Sequence, residues 1–347
     1  MKPEISRHPL NPIVRPGIYP WRRACVFNPG VVYDNGIFTM YERAAGGLRP
    51  FHCTLGMLES SDGVNFRHVS DKPVLTAEMC GSIYGSVQDP RVVKIDDTFL
   101  MTFAYRPYAW SCWPTGVGVP DSKQTDYPGF DGDPKKNQTR SGIAVLRDRK
   151  KWEIAGWVNG PEVDDRDVIL FPEKIGGRYA ALRRPIGFVG TDTAHKEEHP
   201  SIYISYSDDL KQWTSPELVA APAFGWENNR IGASTPPIRT EKGWLLFTHG
   251  VETTDKELRT VVYRTGIMLL DLKNPGKVVA RAPDFIMEPE TYYEKFGLYI
   301  PDVIFPTASP VKDGIVHIYY GVCDTAICLA TVRLEELTEY VSRFPSR

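Results

Sequence analysis

The chain has 347 residues, enough to bury about three quarters of its unfolded surface in one large domain or two ordinary ones. Its formal charge of -2, with acidic and basic residues interspersed, supplies no polycationic face for nucleic acid or an anionic membrane, so a neutral small molecule or a protein is the expected partner. Aromatic content of 12% with 29 Gly and 29 Pro describes a turn-rich, all-β chain and excludes a disordered one.

The amino-terminal stretch MKPEISRHPLNPIVRPG lacks the apolar core of a signal peptide, and no run reaches membrane-spanning length, so a cytoplasmic location is expected. A hairpin pattern then follows at FNPGVVYDNGIFTMYER, 27–43, with an early Pro, an Asp-Asn-Gly turn and a strand of apolar and aromatic residues. The pattern returns at QDPRVVKIDDTFLMTFAYR, 88–106, where Asp89 stands fixed before Pro90 and Arg106 ends the second strand. It returns again at LFPEKIGGRYAALRRP, 170–185, at STPPIRTEKGWLLFTHGV, 234–251, and at FPTASPVKDGIVHIYYGV, 305–322. Further strand pairs such as CTLGMLESSDGVNF and SIYISYSDDLKQW lie between the copies.

A hairpin repeated at roughly sixty to eighty residues, with about four strands per interval, fits the blades of a propeller. Five copies predict an all-β, five-bladed β-propeller occupying 1–347 as a single domain. Two packed β-sandwiches would also give short strands and frequent turns, but the regular repeat favours radial arrangement. Two segments interrupt the period, near 107–140 and 187–200, and are long enough to act as lids. Tyr108, Trp110, Trp113 and Tyr127 in the first predict a lid that packs on something. The HKEEH run, His195 to His199, reads as polar loop rather than metal pair, and Gly176-Gly177 as a hairpin turn. The six cysteines, 25, 53, 80, 112, 323 and 328, show no CxxC pair or zinc spacing and read as buried reduced thiols.

In a propeller the first strand of each blade lines the central channel, so equivalent positions converge at one mouth. The residues at blade starts are Asn28, Asp89, Arg166 with Asp167, Arg230 and Asp302. Those at strand returns are Arg43, Arg106, Arg184, His249 and Asp324. Taken singly, an Asp before Pro is a turn residue and an Arg at a strand end is an ion pair. Taken jointly, they place one acid among several arginines. Inverting glycosidases need an acid for the leaving oxygen and a second carboxylate to activate water. Phosphate is already nucleophilic, and planar guanidinium groups hold its oxygens bidentately. Arg166, Arg184 and Arg230 suit that cradle, which points to phosphorolysis.

The stretches FNPGVV, QDPRVV, RDVILFPEKIGGRYAALRRP, RIGASTPPIRTEKGWLLFTHGV, YRTGIMLLDLKNPGKVV and YYGVCDTAI resemble the successive signatures of glycoside hydrolase family 130. The resemblance covers nearly the whole chain outside the two long insertions. It implies a five-bladed propeller and an inverting phosphorylase of β-mannosides, with a minority of family members being β-mannosidases that use water. By motif, it implies that Asp89 is the general acid, acting through the 3-hydroxyl of the mannosyl unit, and that Asn28, Arg43 and Asp324 hold the mannosyl ring. It further implies that Arg166, Arg184, Arg230 and Tyr263 take the phosphate. Asp302, Arg106 and His249 join the substrate-binding set by their blade positions.

Three departures from the family pattern bear on chemistry. Gln88 stands where Glu is frequent, Arg230 where Lys is frequent, and Asp165 where Asn is usual. A carboxylate at 165 is expected to repel phosphate. Glu227, three residues before Arg230, is the candidate base if water is the nucleophile. The expected reaction is thus cleavage of a terminal β-mannoside by inorganic phosphate to give α-mannose 1-phosphate. The alternatives are an inverting β-mannosidase and a glycan-binding propeller without catalysis. No metal or organic cofactor is implied, only inorganic phosphate as co-substrate. Neither nucleic acid nor membrane is an expected partner, and the edge blades and long loops permit a homo-oligomer.

Overall fold

A computed structural model describes residues 2–109, 127–131, 133–147, 151–186, 199–257 and 260–346. Trp110, Trp113, Cys112, His195 and most of both predicted lids lie outside these residues.

The hairpins form where the sequence places turns. Asn35-Gly36 and Asp96-Asp97 link strands Cys25–Asp34 to Ile37–Ala45 and Ser86–Ile95 to Thr98–Arg106. Asn35, Gly36 and Asp96 take the positive φ values, 49°, 83° and 53°, that two-residue hairpin loops require. Each hairpin recruits later strands, giving five antiparallel sheets. The first blade runs from Cys25–Asp34 outward to Arg67–His68, the second from Ser86–Ile95 to Lys151–Trp157, and the third from Asp165–Leu170 to Glu217–Ala220. The fourth starts at Arg230–Ala233 and ends at Val278–Arg281. The fifth starts at Ile304–Ala308, and its outermost strand comes from the other end of the chain: Ser6 and Arg7 pair with Thr331 and Ala330. Nothing in the sequence pattern announced that closure.

The core shows that the sheets form a ring. Each adjacent pair of blades shares its own apolar cluster. Tyr41 and Leu55 meet Val87 and Met101 between the first and second blades, and Leu100 and Ile143 meet Leu170 and Ala181 between the second and third. Leu182 and Ile204 meet Trp244 and Leu246, then Phe247 and Ile267 meet Ile304 and Ile318. Tyr319 and Ile327 meet Phe38 and Met40 to complete the circle. Five interfaces for five sheets is the count of a closed propeller, whereas two sandwiches would give two cores. Cys25, Cys53, Cys323 and Cys328 are buried, as expected, whereas Cys80 is only half-buried. Among the described residues no helix is long and apolar enough to cross a membrane.

Candidate active site

The inner strands of the first three blades share a local irregularity. Their ladders shift register between Phe27 and Gly30, between Gln88 and Arg91, and between Arg166 and Ile169. At each shift one residue takes a left-handed conformation, Asn28 at φ 44°, Asp89 at 51° and Asp167 at 52°. A bulge of this kind re-aims a side chain out of the ladder, and Asn and Asp are the residue types that tolerate it best. The three polar side chains therefore project into one cleft of about 390 Å³ at the channel mouth.

On one wall Asp89 Oδ1 accepts hydrogen bonds of 2.8 Å from Asn28 Nδ2 and 2.8 Å from Arg43 Nη1. Burial works to raise the Asp89 carboxyl, but the charges of Arg43 and Arg91 and these two hydrogen bonds outweigh it and hold it below the usual carboxylate range. Its side chain stays 19% exposed to the cleft. Arg43 is fixed by a contact of 3.3 Å to Cys53 Sγ and by the Phe27 ring, 4.3 Å from its guanidinium carbon. Asp324 lines the same wall. Burial and the nearby Asp89 charge push it up to about 6 against the opposing pull of Arg43. Gly321 is required here, since a Cβ would stand 2.1 Å from Asn28 Oδ1.

The opposite wall is cationic. Arg184 Nε donates to Asp167 Oδ2 at 2.7 Å, and His249 Nε2 lies 3.5 Å from the same oxygen. His249 Nδ1 meets Ser234 Oγ at 3.1 Å, so a neutral ring donating to Asp167 and accepting from Ser234 satisfies both contacts. Burial, with Arg184, Arg230 and Arg91 adding to it, drives this imidazole down to about 3 despite Asp167, which keeps it neutral at physiological pH. Arg230 donates to the Tyr263 hydroxyl and, at 2.5 Å, to Asn229 Oδ1. Arg166, 28% exposed, is oriented by Asp164 Oδ1 at 3.2 Å. Phe51, Tyr299, Ile300 and Phe305 supply apolar lining. None of these four was singled out from the sequence, because in isolation they read as ordinary core.

Ten of the residues expected from the sequence thus meet in one cleft: Asn28, Arg43, Asp89, Asp324, Arg166, Asp167, Arg184, Arg230, Tyr263 and His249. Three do not. Arg106 lies behind Arg166, with Nη1 on the Asn137 carbonyl and Nη2 3.4 Å from Asp164 Oδ2, because the side chain turns toward the base of the insertion. Asp302 is a left-handed turn residue, φ 56°. It supports the cleft through its main chain, where its carbonyl accepts from the Tyr263 amide at 3.0 Å. Glu227 is buried away from the cleft. Its Oε2 accepts from the Ala223 amide at 2.9 Å, the Phe224 amide at 3.3 Å and Arg281 Nη2 at 2.6 Å. It caps its own short helical turn and is not placed to activate water.

Asp165 also departs from expectation. It is fully buried, held by Arg183 Nε at 2.7 Å and by a second nitrogen of the same guanidinium. Arg183 and Arg184 are neighbours on a strand, so their side chains take opposite faces. Asp165 is therefore directed inside the blade and does not face the cationic wall. Gln88 lines the cleft beside the acid, with Nε2 donating to Ser86 Oγ at 3.1 Å. A neutral amide there adds no further negative charge beside Asp89 and Asp324.

A family model described as beta-1,4-mannooligosaccharide phosphorylase matches residues 6–118 and 134–343. The chain belongs to glycoside hydrolase family 130. Within family 130 it is 36% identical over 323 residues to the 1,2-beta-oligomannan phosphorylase of Thermoanaerobacter sp. (strain X514), covering 91% of this chain and 93% of that one. It is 32% identical to the Beta-1,2-mannobiose phosphorylase of the same organism, covering 96% and 98%. Among solved structures, the Listeria innocua Beta-1,2-Mannobiose phosphorylase in complex with beta-1,2-mannobiose superposes with a TM-score of 0.71 at 23% identity, over 98% of this chain and 99% of that one. That likeness shows the family 130 propeller fold.

Proposed function

We propose that the protein is an inverting phosphorylase that transfers the terminal mannosyl unit of a β-mannoside to inorganic phosphate, releasing α-mannose 1-phosphate and a shortened acceptor. The observation that carries this reading is the division of one cleft into an acid wall and a cationic wall. Asp89 stands on the first with Asn28, Arg43 and Asp324, and Arg166, Arg184, Arg230, Tyr263 and neutral His249 stand on the second. A phosphate held there by guanidinium forks attacks the anomeric carbon on the face opposite the leaving oxygen, which inverts the configuration.

Asp89 supplies the proton. Arg43 and Arg91 hold its carboxyl below the usual carboxylate range, and a bound phosphate brings negative charge to the cationic wall and moves the Asp89 carboxyl upward, toward a protonated donor. Asn28 and Arg43 fix its orientation through Oδ1, leaving Oδ2 for substrate. Hydrolysis is not favoured, since the candidate base Glu227 is committed to Arg281 and two backbone amides.

The two relatives at 36% and 32% identity are named for β-1,2-linked mannosides, so that linkage is the first to test. Purified protein is incubated with β-1,2-mannobiose, with and without phosphate, and the products are followed by NMR. Phosphate-dependent appearance of α-mannose 1-phosphate is expected. Equal release of free mannose in both arms would overturn the assignment.

A further inference from the structure

Arg91 follows the bulge that aims Asp89 and is one of the largest fully buried side chains in the protein. It does not line the cleft, yet its guanidinium reaches four blades just beneath it. Nη1 donates to the Asp89 carbonyl at 2.7 Å in the second blade. Nη2 lies 3.9 Å from Asp167 Oδ1 in the third. Nε donates to the Ser234 carbonyl at 3.1 Å, at the end of the inner strand of the fourth. The guanidinium carbon sits 5.3 Å from the Phe305 ring centroid in the fifth, and that ring lines the cleft.

These partners belong to both walls. The Asp89 carbonyl is part of the bulge that carries the acid. Asp167 holds Arg184 and His249, and Ser234 also holds His249 through its hydroxyl. A planar fork with donors on three nitrogens suits a junction of this kind, and a lysine ammonium has neither the reach nor the planarity to replace it. A cation in so dry a place is costly to maintain for stability alone. Burial lowers the Arg91 pKa even against the attraction of Asp167 and Asp89.

We infer that Arg91 is a positioning residue that fixes the distance between the proton donor and the phosphate cradle by clamping the Asp89 bulge and the Asp167–Ser234–His249 group to one guanidinium. It acts through those residues and touches neither substrate. The inference rests on the phosphorylase reading above.

The test is Arg91→Lys, with Arg91→Gln as a second variant, compared with the parent in the same phosphorolysis assay. Phosphate-dependent turnover by the parent is the check on the phosphorylase reading, and the variants then test Arg91 separately. In a folded Lys variant, kcat is expected to fall by about tenfold or more, the size of effect that small misplacements near reacting atoms produce. The KM for phosphate is expected to rise several-fold, while the KM for the β-mannoside changes less than about twofold. The Gln variant, which keeps part of the hydrogen bonding without the charge, should lose more of the phosphate affinity. Parental kcat and phosphate KM in a folded variant would overturn the inference. So would loss of folding in both variants, which would make Arg91 a structural residue only.

Discussion

Asn28 and Asp89 occupy the same bulge position in successive blades, and a 2.8 Å hydrogen bond from Asn28 Nδ2 to Asp89 Oδ1 joins them across the blade interface. The fold therefore uses one backbone device repeatedly, with an amide in the first blade and an aspartate in the second and third. The two aspartates differ in their neighbours: Asn28 and Arg43 hold Asp89, whereas Arg184 and His249 surround Asp167.

Asp89→Asn keeps the hydrogen-bond acceptor toward Asn28 and Arg43 but removes the transferable proton. We expect phosphorolysis to fall by about 10²–10⁴-fold, with melting temperature and phosphate binding close to the parent. Steady-state kinetics and a thermal shift assay with added phosphate check both halves, and retained turnover would remove Asp89 from the acid role.

Arg184 and Arg230 should separate stability from affinity. Removing Arg184 leaves Asp167 short of its 2.7 Å partner in a buried setting, so Arg184→Met is expected to destabilise the protein by about 3–5 kcal/mol. Arg230 is bound to Asn229 and Tyr263, neither of them a carboxylate. Arg230→Met should leave denaturant stability nearly unchanged and raise the phosphate KM at least tenfold, since charge-assisted bonds to phosphate are the strong ones. A large stability loss from Arg230→Met would contradict this division.

Glu227→Gln tests the corrected role of that residue. If Glu227 caps its turn and neutralises Arg281, the substitution leaves Arg281 without its anion and lowers the melting temperature by several degrees. Turnover per folded molecule should remain near the parent. Loss of turnover at unchanged stability would instead restore it as a catalytic group.

Asp324 predicts a pH dependence of stability. An unfolded Asp titrates near about 3.9, and the folded group is pushed up to about 6. The folded state therefore holds the extra proton between those values, and stability falls as pH rises through that window, with the full cost present above it. Asp324→Asn, neutral throughout, should melt higher than the parent above about pH 6 and no higher below about pH 4, while losing activity. A melting difference that does not change with pH would refute the assignment.

The ring of blades was legible because five hairpins repeat, and nine of the ten cleft residues were legible because blade-start and strand-return positions must converge; Tyr263 came only through the family resemblance. The errors have a common cause. Position at one end of a hairpin or beside a cleft residue does not fix which face a side chain takes, so Arg106 was assigned by its strand end, and Asp165 was read by its place next to Arg166, as facing a cleft that neither faces. Asp302 supports the site by its main chain, which no residue-type argument reveals. Arg91 was hidden by the bulge: one extra residue reverses the alternation of the strand, and only the register shift between Gln88 and Arg91 shows which side chain turns inward.

The pairing of Ser6 and Arg7 with Thr331 and Ala330 makes the fifth blade a clasp whose two halves are made far apart in synthesis. Arg7 secures the clasp by reaching Glu294 at 2.8 Å and the Glu288 carbonyl at 2.7 Å, and the blade that it completes also carries Asp324. Such long-range closure is slow to form, so the ring must remain open until the last sheet exists. A change at the start of the chain is then expected to register first in the setting of Asp324 on the acid wall of the cleft.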